Sequence, residues 1–75
     1  MKNMTLTSIK ATMKQLYIRY VETNERDHSY SELWDSLRTL KNLDLLPYET
    51  WKKVVDYDHY LFQNIDKIME EERKV

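Results

Sequence analysis

Glycine and cysteine are both missing from this chain of 75 residues, and proline occurs once. Loops that cradle phosphate need glycine so that backbone can approach the ligand, and P-loop and dinucleotide-binding motifs are therefore excluded. Tight β-hairpin turns also draw on glycine, which favours an all-helical reading. Without cysteine, neither disulfides nor thiolate metal sites can support the core. No run of ~18 apolar residues occurs, which excludes a transmembrane helix. The opening Met1-Lys2-Asn3-Met4-Thr5 lacks the apolar stretch of a secretory signal, and a cytoplasmic location is the resulting expectation. Alanine is scarce as well, while Lys, Asn, Ile and Tyr are frequent. Such usage follows AT-rich codons, as in low-GC bacteria, their plasmids and their phages.

The chain reads as a single helical domain over residues 1–75. A domain this small buries only about 60% of its unfolded surface, so large side chains must carry much of its stability. Two Trp and six Tyr are present for that purpose, and self-association would add to it.

The last third organises the rest. Trp51, Val54, Val55, Leu61, Phe62, Ile65, Ile68 and Met69 recur at three- and four-residue steps, which gathers them on one side of a helix. Period-two alternation fails at Val54-Val55 and Leu61-Phe62, so a strand fits the stretch poorly. Pro47 suits the first helical position, and Glu49 puts negative charge at the positive end of the helix dipole. An unbroken helix from 47 to 73 would run roughly 40 Å. Its far end is expected to project beyond the helices that cover it, or to pair with a second copy. Asp58 falls at the centre of the apolar stripe and is expected to be a buried polar residue. A buried carboxylate needs a partner, and a Tyr hydroxyl, Arg19, Arg38 or a helix N-terminus could provide one. Two further roles for Asp58 are a device fixing helix register or dimer alignment and, least expected, a catalytic carboxylate.

Two shorter helices precede it. Thr5 is placed to cap the first, near 5–23, with Met4 and Ile9 as a hydrophobic staple. Leu6, Ile9, Met13, Leu16 and Tyr20 form its inward stripe with Tyr17 beside it, and Ile18 points the other way. The polar run Asn24 to His28 makes the first connection, and Ser29 with Glu32 supplies a capping box for the second helix, near 29–43. Tyr30, Leu33, Trp34, Leu37 and Leu40 are its apolar side. Asn42-Leu43-Asp44 ends it, and the residue before Pro47 is biased away from helix. Short connections make consecutive helices antiparallel, and the expected fold is an all-α, three-helix up-down-up bundle with a long C-terminal helix.

Chemistry finds few footholds. The only histidines are His28 and His59, and His59 with Asp56 or Gln63 offers two metal ligands where zinc usually takes three or four. No nucleophile is tied to a base by a recognisable motif. The expectation is a non-enzymatic protein with no metal and no cofactor. Net charge is −1, with four basic residues and no acid before Glu22, then eight basic and thirteen acidic residues. Lys10, Lys14 and Arg19, with Tyr17, could meet phosphate and make a nucleic-acid-binding accessory or regulatory factor. A pI near 6.1 and an acidic final helix argue against it. Helix one is too committed to the core to serve as a membrane-surface helix. Tyr57, Tyr60 and Asn64 lie away from the centre of the helix-three stripe, and outward aromatics suit protein contact. The leading expectation is a small module that binds and modulates a larger protein or self-associates as a homodimer.

Overall fold

The computed structural model describes residues 5–73. It contains α1 (Leu6–Glu22), α2 (Ser29–Asn42) and α3 (Tyr48–Arg73), with no strand among the described residues. Each helix packs on the other two, and α1 provides most of the surface against which α3 lies. No helix among the described residues is long and apolar enough to cross a membrane. Met4, half of the expected staple, lies outside the described residues.

The helix ends show how a chain without glycine makes its turns. The Thr5 side chain accepts from the Ser8 N–H at 3.1 Å, which caps α1 as its sequence predicts. At the other end Asn24 turns left-handed (φ 54°). Glu25 N–H then donates to the Tyr20 carbonyl at 2.9 Å and Asn24 N–H to Val21 at 3.1 Å. This is the Schellman arrangement, with asparagine in the place glycine usually holds. The end of α2 repeats it: Asp44 has φ 59°, with Leu45 N–H on Leu40 at 2.9 Å and Asp44 N–H on Lys41 at 3.1 Å.

Two expected N-termini differ in detail. Ser29 with Glu32 does not form a capping box, because Ser29 is already helical and His28 at the cap makes no side-chain bond. Asp27 takes over, accepting from the Ser29 N–H at 2.9 Å, while its own N–H donates to the Thr23 hydroxyl at 3.1 Å. Pro47 stands one position earlier than expected. Its carbonyl accepts the first helical bond from Trp51 N–H at 3.0 Å, which makes it the cap rather than the first helical residue.

Ile9, Met13, Leu37, Val54 and Leu61 are fully buried, and Tyr30, Leu46 and Ile68 nearly so. Ile18, expected to face outward, is half-buried and packs against this cluster. Trp34 meets Trp51 edge-on at 5.4 Å, pinning α2 to α3, with the Lys41 ammonium 4.9 Å above the Trp51 ring. The buried residues of α3 are Val54, Leu61 and Ile68. They stand seven apart, so one line of two-turn steps defines the centre of its core face. The sequence placed that centre at Asp58. The true line lies to one side, and two residues shift accordingly: Asp58 is half-buried rather than buried, and Phe62, one position past Leu61, is 71% exposed.

Nor is α3 unbroken. Asn64 leaves helical geometry (φ −118°, ψ 16°) and kinks the helix. Its side-chain amide donates to the Tyr60 carbonyl at 2.9 Å, and a side chain bonding into the helical ladder is a recognised cause of bending. Beyond the kink, Ile68 is 5% exposed and Glu72 pairs with Lys14 of α1 at 3.0 Å. Through Glu72 the far end of α3 is therefore held on α1 and does not project free of the bundle, which removes the overhang as a reason for dimerisation.

Candidate interaction surface

One concavity lies where all three helices and the first connection meet. Tyr17 and Tyr20 come from α1, Tyr30 from the first turn of α2, and Asp58 and Phe62 from α3. The space is about 530 Å³. The three tyrosine rings cluster, with centroids 5.0 Å apart for Tyr17–Tyr30, 6.0 Å for Tyr17–Tyr20 and 6.4 Å for Tyr20–Tyr30. Their spacing in sequence explains the grouping: Tyr17 and Tyr20 are three apart on α1, and Tyr30 opens the helix that follows. Tyr30 donates its hydroxyl proton to Asp58, so of the expected partners a tyrosine hydroxyl is the one found. Burial pushes the Tyr30 phenol well above the ordinary tyrosine value, and the bond to Asp58 raises it further. Tyr17 is pushed up as well, by burial first and then by the negative charges of Asp58 and Glu25.

Glu25 reaches this site through an unusual backbone. Its φ is 68°, directly after left-handed Asn24. That region costs a residue with a Cβ roughly 1–2 kcal/mol, and asparagine tolerates it better than glutamate does.

The expected contact residues occupy the other flank of α3. Tyr57 is half-buried, Tyr60 is 51% exposed, and their rings stack at 5.7 Å. The Lys10 ammonium lies 5.3 Å from the Tyr57 centroid, which unites one residue of the protein-contact set with one of the nucleic-acid set. Together with Leu6, Lys53 and Asp56 they line an open groove of about 700 Å³. Asn64 lies one turn further along α3, its side-chain amide donating to the Tyr60 carbonyl.

The basic residues of α1 are already committed within the fold. Lys14 pairs with Glu72 at 3.0 Å, Arg19 with Asp27 at 3.8 Å, and Lys10 sits over Tyr57. The hydrogen bond to Glu72 raises the Lys14 pKa, and bonds from Ser29 lower that of Asp27. A phosphate would have to compete with these partners at each cation. Among the described residues no three histidine or carboxylate side chains converge so as to hold a metal ion. Sequence reasoning missed Phe62 and Glu25 as surface features. Phe62 was hidden by its apolar neighbours, and the placement of Glu25 depends on a backbone turn that has no glycine to announce it. No family model, curated protein or solved structure matches this chain.

Proposed function

We propose that the protein is a non-enzymatic helical interaction module that binds a larger protein or a second copy of itself through the exposed flanks of α3. The carrying observation is the exposure of Phe62, 71%, beside the fully buried Leu61. A solvent-facing aromatic in mid-helix stabilises the monomer little, whereas aromatic rings are prominent among residues that anchor interfaces. Tyr60, 51% exposed, presents a second ring across the core line, and the Tyr57–Tyr60 stack holds it in place. Co-purification from native extract, with and without nuclease, tests this reading. Protein partners retained in both arms and lost from Phe62→Ser or Tyr60→Ser are the expected result. Nucleic acid dominating the untreated arm, and vanishing with Lys10→Ala, would replace it with the reading based on Lys10, Lys14 and Arg19.

A further inference from the structure

The concavity between Tyr17, Tyr20, Tyr30 and Phe62 has a chemistry of its own. Four aromatic rings line it together with Ser31, His59 and Gln63, and its two carboxylates are Asp58 and Glu25. No lysine or arginine lines it, although the chain carries twelve. Aromatic faces attract cations through their ring quadrupoles, most strongly where water is partly excluded. A carboxylate beside them adds a charged acceptor. Asp58 uses one oxygen to accept from Tyr30, and an ionised carboxylate offers further lone pairs on the other. Both acids line the same space, and both push the Tyr17 pKa upward.

The geometry points to this pocket as a receptor for a cationic side chain, arginine or lysine, presented by a partner polypeptide. The inference rests on the interaction reading above and gives the partner a chemistry. A polypeptide is favoured over a small free cation by the shape of the site. The pocket is open on its outer side, with Phe62 on the rim, so a compact ammonium ion would stay largely hydrated. An extended chain can put a cation against Asp58 and lay its neighbouring residues across the Phe62 ring. Arginine suits the arrangement best, because its planar guanidinium both stacks on aromatic rings and forks onto a carboxylate.

The test is an NMR titration of the whole protein with four probes. These are a blocked Gly-Ser-Arg-Ser-Gly peptide, its citrulline counterpart, a lysine counterpart, and tetramethylammonium chloride. The arginine and lysine peptides should move the ring resonances of Tyr17, Tyr20, Tyr30 and Phe62 saturably, and the citrulline peptide should not. Phe62→Ala and Asp58→Asn should each weaken the arginine peptide by about tenfold. Phe62 is too exposed to matter for folding, so its variant keeps the test interpretable if the Asp58 variant proves unstable. Equal shifts from arginine and citrulline, unchanged binding by Phe62→Ala, or shifts confined to Glu70–Glu72 would overturn the proposal. Tetramethylammonium binding as tightly as the arginine peptide would also overturn it, leaving a small-cation site instead. Co-purifying proteins that survive Asp58→Asn but are lost with Tyr60→Ser would defeat this pocket and leave the interaction reading standing.

Discussion

Tyr30 of α2 donates its hydroxyl proton to Asp58 of α3, a side-chain hydrogen bond that ties the two helices together. Tyr30 is 8% exposed and Asp58 half-buried. Removing the acceptor therefore strands a covered hydroxyl, while removing the donor leaves a carboxylate that water can still reach. Asp58→Ala should cost about 1–3 kcal/mol and Tyr30→Phe less, nearer 1 kcal/mol. In a double-mutant cycle the pair should couple by more than ~0.5 kcal/mol, as contacting residues do. The pH dependence has a definite sign. The folded-state pKa of Tyr30 is raised, so its contribution is intact below the ordinary tyrosine value of about 10 and is lost as pH rises through the folded value. Urea melts at increasing alkalinity should show the wild-type advantage over Tyr30→Phe shrinking by up to ~1.4 kcal/mol per pH unit. A constant advantage would mean that the phenol ionises as freely in the folded protein as in the unfolded chain. The sequence alone reached a tyrosine hydroxyl as one partner for Asp58, since a carboxylate in an apolar stripe demands one. It could not choose Tyr30, because that choice depends on how α2 is set against α3.

At the scale of the element, the three helices were legible because the apolar period, the Thr5 cap and a single proline place their limits to within one residue. Turn chemistry was legible only in part. Asn24 and Asp44 stand where glycine would signal a helix end, and both adopt the left-handed conformation that glycine adopts without strain. Asp44→Gly should therefore raise stability by up to about 1 kcal/mol, read as a higher denaturation midpoint. A loss would show that the Asp44 side chain contributes something the turn does not explain. The kink was not legible, since Asn64 is an ordinary surface-compatible residue until its amide bonds to Tyr60. Asn64→Ala sets two effects against each other. Helix propensity favours alanine by up to ~0.7 kcal/mol. Straightening α3 would draw Ile68 out of the buried cluster, and burial of such a side chain contributes about 1.5–3 kcal/mol. The second effect is larger, so a net loss near 1 kcal/mol is expected. A gain would mean that Ile68 reaches the core without the bend.

For the whole molecule, the adjacent pair Leu61 and Phe62 separates what holds the fold from what the fold presents. Leu61 is fully buried and Phe62 is 71% exposed, yet the sequence offers them as equals on one stripe. Leu61→Ala removes packing from the centre of a small core and should cost about 2–5 kcal/mol, much of the total stability of a domain this size. Phe62→Ser should change stability by less than ~0.5 kcal/mol, as surface substitutions do. In a domain of 60–100 residues that is a shift in melting temperature of under ~4 °C. The same variant also reports on association. If α3 binds a second copy through the Phe62 flank, mass action makes the wild-type melting temperature rise with protein concentration. Phe62→Ser should abolish that rise while leaving the dilute-limit value where it was. Sedimentation equilibrium on the two proteins provides the independent measure, with a dimer for wild type and a monomer for the variant. A wild type that sediments as a monomer and melts at a concentration-independent temperature removes the homodimer. The exposed ring is then available to a different protein, and the basic side chain proposed for the Tyr17–Asp58 pocket must come from that partner.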